Sequence, residues 1–204
     1  EVPEATIRYS LASLARFGAT TILEMGGDFS GDMGALLRLA GELGVRLYTC
    51  PGFSSAHHYY DQGGRHHLHW DEGKGLAGLD EAAAFIAEHD GGHDGLFRGI
   101  LVPFEFHLCS QELLRRTKEV AGELGVGITL HLAESVAEFH DTVRQTGRTP
   151  VGVLQDLEFL GPEVILGHGL YTGGHSQIAY PFEGDLAALV ETGTNVAHCP
   201  LVFG

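Results

Sequence analysis

His131 and Glu134 stand three residues apart in GVGITLHLAESVAEF (125–139), where an apolar run ends and a helix begins. A neutral imidazole is a good ligand for zinc, iron or manganese. A carboxylate close to a metal-activated water can take its proton and pass it to a leaving nitrogen. Two other short apolar runs also end in histidine: VILGH (164–168) at His168 and TNVAH (194–198) at His198. FRGILV (97–102) is followed by Pro103, Glu105 and His107, and ATTILEM (19–25) closes on Glu24 and Met25. One strand-end histidine is ordinarily a hydrogen-bonded structural residue. Three on separate strands are hard to explain by packing, and they predict a functional rim.

The elements that would carry these residues alternate. Helical spacing or capping signals predict helices at 4–17, 33–44, 79–89, 110–125, from Ser135 onward, 149–161 and 184–193. Between them lie β-branched or apolar runs at 19–25, 45–50, 97–102, 127–131, 164–168 and 194–198, read as six strands. Near-continuous apolar strands are those of a parallel sheet covered on both faces. The alternation predicts an α/β chain, either doubly wound or a (β/α)8 barrel. No GxGxxG follows the first strand, which argues against a dinucleotide site. In a barrel, Thr129 and His131 share one face of their strand, and His131 points into the mouth if Ile128 and Leu130 meet the helices. Ser135-Val136-Ala137-Glu138 fits a capping box, so the following helix starts just past Glu134.

Composition bounds the partners. The 204 residues suffice for one sizeable core, and no apolar run approaches the ~18–20 residues of a membrane span. With 12 Lys+Arg against 27 Asp+Glu, the net charge of −15 lacks the basic footprint that nucleic acid demands. A small-molecule or cationic partner is expected, with no nucleic acid and no membrane. Cys50, Cys109 and Cys199 form no CxxC pattern and read as reduced thiols in a cytoplasm-like compartment; no signal-peptide pattern is visible.

HLAES, TPVGVLQDLEFLGPEVILGHG and LVETGTNVAHCPL together resemble the amidohydrolase superfamily, in its branch of metal-dependent deaminases and chlorohydrolases. GILVPFEFHLCSQELLRRTKEVAGELG is similar to that branch's fourth-strand segment, and the likeness runs over nearly all of residues 4–201. The resemblance implies a (β/α)8 TIM-type barrel, present here as strands two to seven of eight, and residues 1–204 as a partial hydrolase barrel. It implies one divalent metal, zinc first, with iron or manganese as alternatives. His131 matches the metal-binding histidine after the fifth strand. Glu134 matches the proton-shuttling glutamate, and His168 the catalytic histidine after the sixth strand. His198 matches a histidine near the substrate, and Phe104 stands where nucleoside-type members usually carry histidine. Ser-Asn usually follows HCP; here LVF does. Both changes imply a more apolar pocket.

The family's HxH pair after strand one and aspartate after strand eight have no counterpart in the sequence. The remaining ligands, together with the flanking strands and any β-sandwich domain, are therefore expected outside this chain. His67-Leu68-His69 is also an HxH, but it falls in the His/Tyr-rich stretch 51–78, read as a long loop lining the barrel mouth. The expected function is C–N bond hydrolysis, a deamination of a small cyclic or aromatic amine. The alternatives are amide, carbamate or urea hydrolysis on the same site, and a non-catalytic binding protein should the flanking ligands be absent. A homodimer is compatible with the resemblance.

Overall fold

The structure is a computed structural model that describes residues 2–26, 33–178, 181 and 184–200. Helix α1 (Val2–Arg16) is followed by β1 (Thr21–Leu23), α2 (Met33–Leu43) and β2 (Arg46–Thr49). A hairpin, β3 (Ala56–Tyr60) and β4 (His66–Trp70), then leads into α3 (Glu72–His89) and a single turn, α4 (Gly92–Gly95). The rest is β5 (Phe97–Leu101), a 3-10 turn (Phe106–Leu108), α5 (Gln111–Leu124), β6 (Gly127–Leu132), α6 (Val136–Thr146), α7 (Pro150–Asp156), β7 (Val164–His168), α8 (Asp185–Thr192) and β8 (Asn195–Ala197).

The six strands of the main sheet lie in the order β1-β2-β5-β6-β7-β8, every neighbouring pair parallel. A doubly wound sheet reverses its strand order at a switch point. This order never reverses, so each unit steps in one direction, as in a barrel wall. All strand C-termini therefore share one rim. Helix-borne Leu79, Ile86, Leu113, Leu114, Val151 and Leu154 pack with Ile128, Leu130, Val164 and Leu166 in one buried cluster. A second cluster joins Ile7, Leu11 and the buried face of α2 to Leu47 and Phe97.

Residues 51–78 are not a loop. Asp61 turns the chain by accepting from the Gly63 and Arg65 amides at 2.8 and 2.9 Å, with Gly64 at φ +75°, and the flanking His/Tyr/Trp segments pair as the hairpin. Helix α3 begins at Glu72 rather than 79, because Asp71 caps it by accepting from the Lys74 amide at 2.9 Å. Its early glycines hide the helix from propensity. They are there for packing: a Cβ on Gly75 would sit 2.8 Å from Ser55 Oγ, and one on Gly78 2.8 Å from Phe53 Cβ. The helix expected over 149–161 stops at Asp156, and Glu158 adopts a left-handed φ of +55°. Among the described residues no helix is long and apolar enough to cross a membrane.

Candidate active site

The side chains of β6 divide as the pleat requires. Ile128, Leu130 and Leu132 are buried against the helices, and Thr129 and His131 take the opposite face. Past β5 the chain continues alongside β6, with Glu105 bridged to His131 in parallel register. The Phe104 carbonyl there accepts twice from one residue: the His131 amide at 3.2 Å and His131 Nδ1 at 2.5 Å. A carbonyl only accepts, so Nδ1 carries the proton and Nε2 keeps its lone pair. Metal-ligating imidazoles are commonly oriented in this way. The Phe104 ring stands edge-on to the imidazole, centroids 5.1 Å apart at 64°.

Glu134 is held by its own backbone. Ala133 takes φ +52°, a left-handed conformation costing roughly 1–2 kcal/mol for an L-residue. Both its polar groups are secured. Its amide donates to Glu138 Oε1 at 2.8 Å, and its carbonyl accepts from the Leu170 and Tyr171 amides at 3.1 and 2.9 Å. The Glu134 amide donates to Glu138 Oε2 at 2.9 Å, while the Glu138 amide donates to Ser135 Oγ at 3.1 Å. Glu138 is thus more than the last residue of a capping box; it clamps the turn that carries Glu134. Burial pushes its carboxyl up to about 7, the two backbone amides pull against this, and the nearby Glu134 and Glu105 add to the rise.

His168, at the end of β7, has φ +69°. A non-glycine residue in that region is a strained position typical of functional sites. Its ring lies 5.6 Å from that of His131, nearly parallel at 29°, and its Nε2 is 3.2 Å from Glu134 Oε2. Burial, aided by His131, lowers the affinity of His168 for a proton against the pull of Glu134. Burial thus favours the neutral ring, whose Nε2 lies against the Glu134 carboxylate. His131, Glu134, His168 and Phe104 thus form one constellation. His198 follows β8 on the same rim and is exposed; among the described residues no hydrogen bond or ring contact joins it to the other four.

The rim holds a second grouping. His58 on β3, with Glu105 and His107 after β5, bring one ligand atom each within 4.8 Å of one another. They line a cleft of about 640 Å³ that also reaches Glu134 and Glu138. Burial and the neighbouring His58 and His66 push His107 down to about 4. Glu105 and His107 stand out in the sequence as polar residues past a strand, and His58 as part of a histidine-rich stretch. Only the hairpin brings them together. His67 and His69 lie on β4, where His67 pairs with Asp61 at 3.0 Å.

Comparison with known proteins agrees with this geometry. A profile described as the amidohydrolase family matches residues 2–201. The 5'-deoxyadenosine deaminase of Methanosarcina barkeri is 33% identical over 129 residues, which are 63% of this chain and 28% of that protein. The 5-methylthioadenosine/S-adenosylhomocysteine deaminase of Moorella thermoacetica is 27% identical over 193 residues, covering 95% of this chain and 39% of its own length. The chain therefore spans well under half the length of these relatives. In fold, it matches guanine deaminase from C. acetobutylicum with a TM-score of 0.73 at 13% identity, covering 98% of this chain and 44% of that one. A zinc-bound adenosine deaminase from Xanthomonas campestris gives 0.69 at 19%, over 97% and 40% of the two chains. The six parallel strands are part of a TIM-type barrel, and the chain belongs to the amidohydrolase family.

Proposed function

We propose that this chain carries the proton-transfer part of a metal-dependent aminohydrolase, which removes the amino group of a small cyclic or aromatic amine of the adenosine type. The observation that carries this reading is the seating of His131. Its Nδ1 proton is committed to the Phe104 carbonyl, which leaves Nε2 as a lone-pair donor beside the Glu134–His168 pair. That donor fits a divalent metal, zinc in the first place because the Xanthomonas deaminase holds it, with iron or manganese as alternatives. When bound, such an ion supplies a water acidified toward neutrality. One imidazole does not hold a catalytic ion alone; the family pattern places the other ligands in flanking segments of the barrel.

The residues of this chain then have separable tasks. Glu134, whose Oε2 lies 3.2 Å from His168 Nε2, takes a proton and delivers it to the departing nitrogen. His168, aimed by its strained backbone, holds its ring beside the carbon that becomes tetrahedral. Phe104 gives an apolar wall for an aromatic ring, and His198 is assigned to the substrate side of the rim. The curated relatives are named as deaminases of adenosine analogues, which supports this substrate class.

The test is ammonia release by the zinc-loaded protein from adenosine, 5'-deoxyadenosine and guanine. Glu134→Gln is expected to lower kcat by about 10²–10⁴-fold, the usual worth of a general acid–base group, with substrate binding and metal content retained. Hydrolysis of amides or ureas with no ammonia from any aminopurine would replace deamination with the alternative chemistry.

A further inference from the structure

The His58–Glu105–His107 grouping has the dimensions of a metal site in its own right. The three facing atoms are His58 Nε2, His107 Nε2 and Glu105 Oε2. Their separations are 3.3 Å between the two nitrogens, 3.6 Å from His58 to Glu105 and 3.3 Å from His107 to Glu105. A tetrahedral zinc with ligands at 2.0–2.1 Å holds neighbouring donors about 3.3–3.4 Å apart. The triangle therefore matches one face of such a tetrahedron, and its three residues line the cleft.

The neighbours suit the same geometry. His58 Nδ1 lies 2.6 Å from His66 Nε2, so the tautomer that offers His58 Nε2 to a cation has a partner for its Nδ1 proton. Two imidazoles and one carboxylate select a zinc-like ion over calcium or magnesium, which require oxygen-rich shells.

We propose that these three residues bind a zinc-class ion, built on donors other than His131, and that the ion fastens the β3–β4 hairpin to the loop after β5. The residues joined are far apart in sequence: His58 lies on the hairpin, Glu105 just before the 3-10 turn and His107 within it. Binding would fix the hairpin as a wall of the cleft that Glu134 also lines. This inference does not depend on the deaminase reading.

The probe is Zn²⁺ itself, titrated into chelator-stripped protein. Two readouts report on the hairpin: emission of the single tryptophan, Trp70 on β4, and tryptic cleavage after Arg65 at the hairpin turn. Zinc is expected to slow that cleavage about tenfold, which corresponds to about 1.4 kcal/mol of local stabilisation. The protection should survive His131→Ala and a double His67→Ala/His69→Ala change, and vanish in His58→Ala and in His107→Ala. Both of the latter positions are at least partly exposed, so the variants should fold. Bound Co²⁺ should give the intense visible absorption of a tetrahedral site, lost in the same two variants. Zinc that binds only through His131, or protection that persists without His107, would overturn the proposal: the first leaves a lone active-site metal, the second a hairpin that scavenges metal through its own histidines. Failure of ammonia release with this protection intact would strike the deaminase reading alone.

Discussion

The proton transfer proposed for Glu134 requires a carboxylate held in place, and the Glu134 backbone is held through Glu138. Glu138→Ala would leave the Ala133 and Glu134 amides without their acceptor. Each orphaned, mostly buried donor costs about 1–3 kcal/mol. The left-handed Ala133 would then lose one of the bonds that keep it there. The expected outcome is a lower unfolding midpoint in urea and a fall in kcat larger than the change in KM, with zinc content unchanged because His131 sits on β6. Glu138→Gln, which keeps shape and one acceptor oxygen, should recover much of kcat. Equal losses in the two variants, or a loss of metal, would mean that Glu138 acts some other way. At this scale the sequence showed His131, Glu134 and His168 plainly, because strand ends fix where side chains go. It showed Glu138 only as a helix cap. The second role depends on a left-handed turn at an alanine, for which no residue type is a signal.

Elements were legible where burial period and caps agreed. Ser110 and Gly125 bound α5 as expected: Ser110 Oγ accepts from the Leu113 amide at 2.9 Å, and Gly125 takes φ +68°. The hairpin and the start of α3 were not legible. The run His57-His58-Tyr59-Tyr60 is exposed and has no period-two apolar face, and the glycines of α3 lower its helix propensity while admitting neighbouring backbone. The same substitution should therefore have opposite signs on two helices. In α5, a Cβ on Gly122 meets nothing within 4 Å, so Gly122→Ala should stabilise by about 0.5–1 kcal/mol through propensity. In α3, a Cβ on Gly78 would lie 2.8 Å from Phe53 Cβ. Overpacking there costs about 1–3 kcal/mol and outweighs the propensity gain of about 1 kcal/mol. Urea unfolding of the two variants checks this, and a stabilising Gly78→Ala would show that the α3 packing yields more easily than argued.

At the scale of the whole molecule, the strand order assembles the candidate site. Six parallel strands in unbroken sequence put every strand C-terminus on one rim, so residues as distant as Glu105, His131 and His168 meet without any local motif linking them. The same rim concentrates carboxyl groups on a chain whose net charge is already −15. Glu138, raised to about 7 by burial with Glu134 and Glu105 close by, takes up a proton on folding over a range where the unfolded chain does not. A carboxyl group with a raised folded-state pKa contributes stability that is fully present below its ordinary value of 4.5 and is lost as pH rises through about 7. His107 and His168, both lowered, act in the opposite sense, but only as pH falls below the ordinary histidine value of 6.5. Above that value the histidine contributions are gone, and Glu105, whose carboxyl is also raised by burial and by Glu134, acts in the same sense as Glu138. The metal-free protein should therefore lose a few degrees of Tm from about pH 6.5 to about pH 8.5, and Glu138→Gln, which cannot titrate, should make that decline shallower. A wild-type Tm that is level across the window, or a slope that the variant leaves intact, would place the shifted proton on another group of the rim.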